Sequence, residues 1–277
     1  MQQAGDFYHR YKDKRSFYMI LDDIVMKKRT DLAEEERQIP LSALEKRALC
    51  APPVRDLKAA LKKDGLAVIA EVKRASPSRG VIAEEFDPVD TARRYEAGGA
   101  AAVSVLTERH FFRGSDEHLI EIRSAIALPV LKKDFLIAER QVIGARAIGA
   151  DAVLLIAAIL DDAAMTRLSS LAGELGMRCL FEAHDETEVR RVSDCGAKIV
   201  GVNNRDLHTF EVALETFERL RPLIPSGVLA VAESGIRTRR DALRMEKAGA
   251  NAVLVGESLM KAGDSAALIR ELGGVRA

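Results

Sequence analysis

The stretch Leu66-Ala-Val-Ile-Ala-Glu71-Val-Lys73-Arg-Ala-Ser76-Pro77-Ser78 opens as an apolar run and ends in charge. An unbroken apolar start suits a strand buried on both faces. Strand side chains alternate between faces, so Glu71 and Lys73 point the same way. Charge at that depth is costly unless it is paired or used. The following Ser76-Pro77-Ser78-Arg79-Gly80 cannot continue a strand and predicts a loop. A carboxylate, an amine and a hydroxyl therefore meet where strand gives way to loop. The plain alternative to a reactive site is a structural ion pair closing one layer of side chains.

Outward from this stretch the chain alternates. Further strand-like runs lie at Ala100–Leu106, Leu128–Leu131, Ala152–Ile156, Met177–Phe181, Lys198–Val202, Val228–Val231 and Ala252–Val255, making eight with the first. Between them are amphipathic stretches, Val89–Ala97, Glu117–Ala127, Glu139–Ile148, Asp162–Leu175, Glu186–Ser193 and Arg239–Ala248. Such alternation implies a parallel sheet. One phrase recurs before alternate strands: Gly99-Ala-Ala-Ala-Val103, Gly149-Ala-Asp-Ala-Val153, Gly196-Ala-Lys-Ile-Val200 and Gly249-Ala-Asn-Ala-Val253. Its glycine ends a helix in a left-handed residue and the strand starts at once. A quasi-repeat of two strand–helix units favours a closed α/β barrel, the (β/α)8 or TIM barrel, over an open doubly wound sheet. No glycine-rich dinucleotide loop follows the first strand, which also argues against the open sheet.

Three segments are expected. Residues 1–16 are polar, without clear periodicity, and predict a mobile tail. Residues 17–65 form a helical extension: Ile20, Leu21, Ile24 and Val25 make an apolar stripe, with Lys27-Lys28-Arg29 expected near the helix end, and Pro40 and Pro52-Pro53 divide it from further helices around Leu41, Leu44, Leu49, Leu57 and Leu61. Residues 66–277 form the barrel. The extension is too short for a strong core of its own and is expected to pack on the barrel as one structural domain.

In such a barrel the chemistry sits at the C-terminal ends of the strands. Those ends supply Glu71, Lys73 and Ser76; Ser104, Thr107 and Glu108; Lys132, Lys133, Asp134 and Phe135; Glu182 and His184; Asn203, Asn204, Arg205 and Asp206; Glu233 and Ser234; and Gly256, Glu257 and Ser258. Lysines and glutamates converging from several strands can drive pKa values apart and so assign an acid and a base. The turns Glu233-Ser234-Gly235-Ile236 and Gly256-Glu257-Ser258 follow strands seven and eight, where this fold recurrently binds phosphate through backbone N–H groups. Phe111, Phe112 and Phe135 are expected near the mouth. His9, His110, His118 and His208 read as solvated, and His184 as a supporting neighbour of Glu182.

Composition excludes several classes. Lys plus Arg and Asp plus Glu are both 42, so no net field favours nucleic acid or an anionic membrane. No apolar run approaches a membrane span, and the first residues lack a secretory pattern. Cys50, Cys179 and Cys195 show no metal spacing, and Cys179 sits in an apolar run as a core residue would. A cytoplasmic protein without a metal site is expected.

Five stretches together resemble the indole-3-glycerol phosphate synthase family: Ile69-Ala-Glu-Val-Lys-Arg-Ala-Ser-Pro-Ser78, Pro129-Val-Leu-Lys-Lys-Asp-Phe135, Gly201-Val-Asn-Asn-Arg-Asp-Leu207, Ala232-Glu-Ser-Gly-Ile236 and Val255-Gly-Glu-Ser-Leu-Met260. The resemblance runs from about Ile20 to the C-terminus and implies that the helical extension caps the barrel mouth. It implies a cofactor-free, decarboxylating and dehydrating ring closure of 1-(2-carboxyphenylamino)-1-deoxyribulose 5-phosphate to indole-3-glycerol phosphate, in tryptophan biosynthesis. It implies Lys133 as general acid, Lys73 near phosphate and carboxylate and as a second acid, Glu182 as base, and Glu71 in support of both lysines. Asn203, Ser234 and Glu233 match residues that orient the substrate, and Ser76 and Arg205 match carboxylate contacts. Phe112 and Phe135 match the aromatic positions around the ring, and Gly235, Gly256 and Glu257 the phosphate site. Glu257 departs from members with serine there, so its side chain is expected to turn away. The implied partner is the small phosphorylated substrate alone, with a monomer as the expected state. Two rivals stand beside this reading: a Schiff-base aldolase or sugar-phosphate isomerase on the same barrel, and a phosphometabolite-binding scaffold. Two neighbouring lysines would lower the Lys133 pKa and the glutamates would raise it, so the sequence leaves the sign of the shift open.

Overall fold

A computed structural model describes residues 17–62, 65–76, 80–81, 86–206 and 209–274. The expected tail at 1–16 lies outside them. Eight parallel strands close into a barrel: β1 Ala67–Val72, β2 Ala102–Leu106, β3 Val130–Lys133, β4 Ala152–Ile156, β5 Arg178–Ala183, β6 Ile199–Asn203, β7 Leu229–Glu233 and β8 Ala252–Val255. Each strand pairs with its sequence neighbours, and β1 closes the ring against β8, with Ile69 opposite Leu254. The loop expected after β1 carries one departure. Ala75–Ser76 and Gly80–Val81 pair as a short antiparallel ribbon.

The helices are α1 Phe17–Gln38, α2 Leu41–Cys50, α3 Leu57–Leu61, α4 Pro88–Ala97, α5 Asp116–Ala125, α6 Glu139–Ala147, α7 Asp162–Glu174, α8 Glu186–Asp194, α9 Glu215–Leu220, α10 Arg239–Lys247, α11 Glu257–Lys261 and α12 Ser265–Gly273. Side-chain caps start many of them: Asp87, Asp161, Asp185 and Asp264 each accept a backbone N–H from the first turn. The four phrase glycines, Gly99, Gly149, Gly196 and Gly249, all adopt positive φ after a helix, as the repeat predicts.

The period-two pattern of each strand sorts two cores. Val68, Ala70 and Val72 of β1 face outward into the layer between sheet and helices, where Tyr95, Leu119 and Ile122 are fully covered. Ala67 and Ile69 face inward with Leu131, Leu154, Leu180, Ile199, Val231 and Leu254, filling the barrel.

The extension embraces both ends of the barrel rather than capping the mouth alone. α1 lies at the mouth, where Ile24 packs on Phe111 and Lys28 forms a 2.6 Å ion pair with Asp134. It continues well past Lys27-Lys28-Arg29, because Lys27 pairs with Asp31 one turn on and helix formers follow until Pro40. The basic triplet is therefore mid-helix, and Lys28 is buried rather than serving the helix end. α2 packs along α6 through Leu44, Ala48 and Ile143, whereas Leu49 is 83% exposed and not core. α3 plugs the base, with Leu57 and Leu61 joining the inner core.

Asp151 organises that base. It is fully buried and accepts the Arg55 N–H at 2.7 Å and the Val130 N–H at 2.8 Å, and its Oδ2 pairs with Arg123 Nε at 3.0 Å. Arg55 also donates to the Leu128 carbonyl, and Arg146 to the carbonyls of Ala51 and Pro52. Removing one partner of a buried pair strands the other. Asp151→Ala is expected to cost about 3 kcal/mol or more and to lower Tm measurably in thermal and urea unfolding; a wild-type Tm would show that the base plug docks by apolar contact alone.

Candidate active site

The inner row of each strand changes from apolar to polar as it rises. Ile69 gives way to Glu71, Leu131 to Lys133, Leu180 to Glu182, and Val231 to Glu233, while Asn203 ends β6. These side chains meet at the floor of a cavity of about 540 Å³, which Leu21 and Ile24 of α1 also line. Lys132, one residue out of step, points away from the cavity and pairs with Asp116 on α5.

Two ion pairs hold the floor. Lys133 Nζ lies 3.2 Å from Glu182 Oε2, and Lys73 Nζ lies 2.7 Å from Glu71 Oε1. Asn203 Nδ2 donates to Glu182 Oε1 at 3.1 Å. His184 Nε2 sits 3.2 Å from the same Glu182 oxygen, a charge contact whose angle falls short of a hydrogen bond. Glu233 Oε1 is buried with no hydrogen-bond partner, lodged against Gly201 at a point where a Cβ would overlap it. A Cβ on Gly256 would likewise overlap the Glu71 carboxylate. Gly201 and Gly256 thus make room for carboxylates.

Electrostatics sets these groups in different protonation states. Burial alone would lower the Lys133 pKa, but the Glu182, Glu233 and Glu71 carboxylates outweigh it and hold the ammonium above its ordinary value. The question the sequence leaves open is thereby resolved in favour of the glutamates. Glu182 goes the other way: burial would raise its pKa, yet Lys133, His184 and Asn203 hold it ionised well below the carboxylate range. Glu233, buried without a bond and beside the Glu182 charge, is pushed up to about 8. The floor therefore presents a charged lysine, an ionised carboxylate and a protonated one at neutral pH.

One wall of the cavity is aromatic. The rings of Phe112 and Phe135 lie 6.0 Å apart at 36°, and Phe210 packs with them. Glu108 fixes the loop that carries Phe112, accepting the N–H groups of His110, Phe111 and Phe112. Arg205 donates to the Phe210 carbonyl, and its own N–H donates to Asn203 Oδ1. The turns after β7 and β8 meet at the cavity through Ser258 Oγ, which donates to the Ile236 carbonyl at 3.0 Å. Ser234 and Gly235 are consecutive left-handed residues, at φ 62° and 83°. A Cβ on Gly235 would stand 2.6 Å from Val212 Cγ1, so glycine is required there. Left-handed Ser234 is strained for a residue with a Cβ, and buried Asn204 supports it by donating to its carbonyl.

The profile of the indole-3-glycerol phosphate synthase family matches residues 21–272. The chain belongs to that family. An indole-3-glycerol phosphate synthase of Parafrankia sp. (strain EAN1pec) is 50% identical over 252 residues, covering 91% of this chain and 94% of that one. That of Dehalococcoides mccartyi (strain CBDB1) is 48% identical over 258 residues, covering 92% and 100%. Among solved structures, the thiamine phosphate pyrophosphorylase of Pyrococcus furiosus superposes with a TM-score of 0.61 at 18% identity, covering 79% of this chain and 97% of that one, which shows a shared fold.

Of the residues that the family resemblance singles out, Glu71, Lys73, Phe112, Lys133, Phe135, Glu182, Asn203, Arg205, Glu233, Ser234, Gly235, Gly256 and Glu257 all line the one cavity. The side chain of Ser76 lies outside the described residues. Glu257, whose side chain is expected to turn away, lines the cavity and accepts from Lys261 at 2.7 Å, so its charge is paired with a cation. Sequence reasoning missed Leu21, Ile24, Phe210, Arg237 and Lys261, which also line it. An amphipathic stripe shows that α1 buries a face but not which face of the barrel receives it. Two of the expected solvated histidines have partners: exposed His110 contacts Asp31 at 2.9 Å, and half-buried His118 packs edge-on against Phe86. His9 and His208 lie outside the described residues. Cys179 packs against the core as expected, its thiol pushed up to about 12 by burial.

Glu233 gives a pH signature. Folded, it keeps its proton up to about pH 8; unfolded, it loses it near the ordinary carboxylate value of about 4.3. The folded state therefore binds more protons between these values, and the Glu233 contribution to stability falls as pH rises through that window. Thermal melts of wild type and Glu233→Gln should diverge as pH rises from about 5 to 8, with the variant gaining relative to wild type. Parallel curves would place an ionised Glu233 in the folded protein.

Proposed function

We propose that this chain closes the indole ring of indole-3-glycerol phosphate from 1-(2-carboxyphenylamino)-1-deoxyribulose 5-phosphate, releasing carbon dioxide and water. The observation that carries this is the split floor: a charged Lys133 against ionised Glu182 with protonated Glu233 beside them, in a cavity with an aromatic wall and paired glycine turns. The family makes the enzyme a carboxy-lyase of tryptophan biosynthesis.

The roles are those that the family resemblance implies, and the geometry supports them. The ring carbon bearing the carboxylate attacks the ketone carbon as Lys133 gives its proton to the carbonyl oxygen, forming a hydroxyl. The bond to the carboxylate then breaks, and its electron pair restores the aromatic ring as carbon dioxide leaves. The hydroxyl departs as water with a proton from Lys73, while Glu182 takes the proton whose loss completes the indole. Glu71 holds Lys73 in place, Phe112 and Phe135 stack the ring, and Arg205 meets the carboxylate. Asn203, Ser234 and Glu233 orient the sugar chain. Ser76 is a further carboxylate contact. Backbone N–H groups at Gly235 and Gly256, with Lys73 nearby, hold the phosphate, and the Lys261 pairing quiets Glu257. No cofactor enters this scheme.

A Schiff-base aldolase on the same barrel needs a neutral lysine. Lys133, its ammonium held chiefly by the Glu182 carboxylate, does not suit that role. The chain is expected to act as a monomer, with extension and barrel as one unit. Zero net charge supports a small-molecule substrate rather than nucleic acid, and among the described residues no helix is long and apolar enough to cross a membrane. We place the enzyme in the cytoplasm.

The test is indole fluorescence on mixing the protein with the carboxyphenylamino sugar phosphate, without metal or nucleotide. A rise is expected; tight binding with no rise would favour a binding protein. Lys133→Ala should abolish turnover while substrate binding persists, since its proton transfer belongs to the transition state. Parallel loss of binding would reassign it. Glu182→Gln should lower the rate at least about a hundredfold, and a near-wild-type rate would remove it from the mechanism.

A further inference from the structure

We infer that His184 is a positioning residue that holds the proposed base Glu182 in its reactive geometry, braced from behind by Glu188. The inference rests on the proposal that Glu182 is the base, and it concerns how this chain keeps that base aimed.

Glu182 and His184 are two residues apart at the end of β5 and share a face. Glu188 lies in the first turn of α8, where Asp185 caps its N–H at 2.8 Å. The Glu188 carboxylate takes two donors from His184: the backbone N–H at 2.8 Å and ring Nδ1 at 3.0 Å. One oxygen of a helix turn thus fixes both main chain and ring. The ring so held points Nε2 at Glu182 Oε1, 3.2 Å away, and that nitrogen has no hydrogen-bond partner. Its side chain is only 10% exposed.

A neutral imidazole donates from one nitrogen only. Here both nitrogens face carboxylates, so the arrangement suits the imidazolium. Burial works against the charge, but Glu182 and Glu188 hold the pKa up at about 10. Glu182 is otherwise faced by Lys133 from β3, Asn203 from β6 and Glu233 from β7, while His184 is faced by Glu182 and by Glu188 of α8. Lys133 engages one Glu182 oxygen, and Asn203 and His184 converge on the other. Three groups on two oxygens leave the carboxylate little freedom to rotate. His184 also adds the second positive charge that keeps Glu182 ionised when Lys133 gives up its proton during the reaction.

The test is the pH profile of kcat/KM for His184→Asn, with Glu188→Gln as a variant that keeps the ring and its hydrogen bond. His184→Asn should move the acid limb upward by about one to three pH units. It should also lower kcat between about tenfold and a hundredfold while KM stays within about twofold. Glu188→Gln should shift the limb in the same direction by less. In a Glu182→Gln background, adding His184→Asn should change the residual rate less than about twofold. An unmoved limb in both single variants, or a full His184→Asn effect in the Glu182→Gln background, would overturn the inference while leaving Glu182 as the base. A fully active Glu182→Gln would overturn the base assignment itself, and this inference with it.

Discussion

A lysine and a glutamate 3.2 Å apart on the floor of a barrel are the constraint around which this molecule is built. Each ion loses several kcal/mol of hydration on burial, and attraction repays that only when the remaining lone pairs and protons find partners. The neighbours supply them. Asn203 and His184 address Glu182, and Glu71 adds further negative charge near Lys133. Glycine stands wherever a Cβ would displace a carboxylate, at Gly201 for Glu233 and at Gly256 for Glu71. Each concession at the top is stabilised by the apolar layers below, where Ile69, Leu131, Leu180 and Val231 leave no polar atom to satisfy.

The helical extension serves the same constraint from both ends. At the base, α3 inserts Leu57 and Leu61 under the inner core, and Asp151 ties the approach segment to β3 and α5. At the mouth, α1 brings Leu21 and Ile24 to the cavity and fastens itself through Lys28 to Asp134, the residue immediately after Lys133. Asp134 also accepts from Thr107 at 2.7 Å, so the end of β3 is held on both sides. A helix that excludes water from the floor strengthens every interaction there, because the local dielectric falls.

Much of this was legible in the sequence because two local codes agree. Period-two alternation sets which residues of a strand enter the barrel, so Glu71, Lys133, Glu182 and Glu233 could be placed on one floor from Ile69, Leu131, Leu180 and Val231 beneath them. The glycine phrase marked where four of the helices end, and its recurrence before alternate strands favoured a closed ring of the eight units that the apolar runs count. What stayed hidden depends on long-range packing. That Lys28 pairs with Asp134, or that α3 turns to the base while α1 covers the mouth, follows from contacts across about a hundred residues, which no periodicity encodes. The two-residue ribbon after β1 was equally invisible, since a Ser-Pro-Ser-Arg-Gly segment fits an open loop as well as a closed turn.

The balance of charge explains why one glutamate is ionised and another protonated. Glu182 and Glu233 are the same chemical group at the same height on β5 and β7, yet their environments differ in what reaches the oxygens. Glu182 receives a lysine, an amide and an imidazole; Glu233 Oε1 receives nothing and rests against the bare Cα of Gly201. Both cannot be ionised within one buried layer at modest cost, so the proton goes to the carboxyl with fewer donors. Gly201 therefore does more than make space. By letting Glu233 Oε1 rest where no hydrogen-bond donor meets it, the glycine favours the protonated acid there and leaves the negative charge on Glu182, beside Lys133.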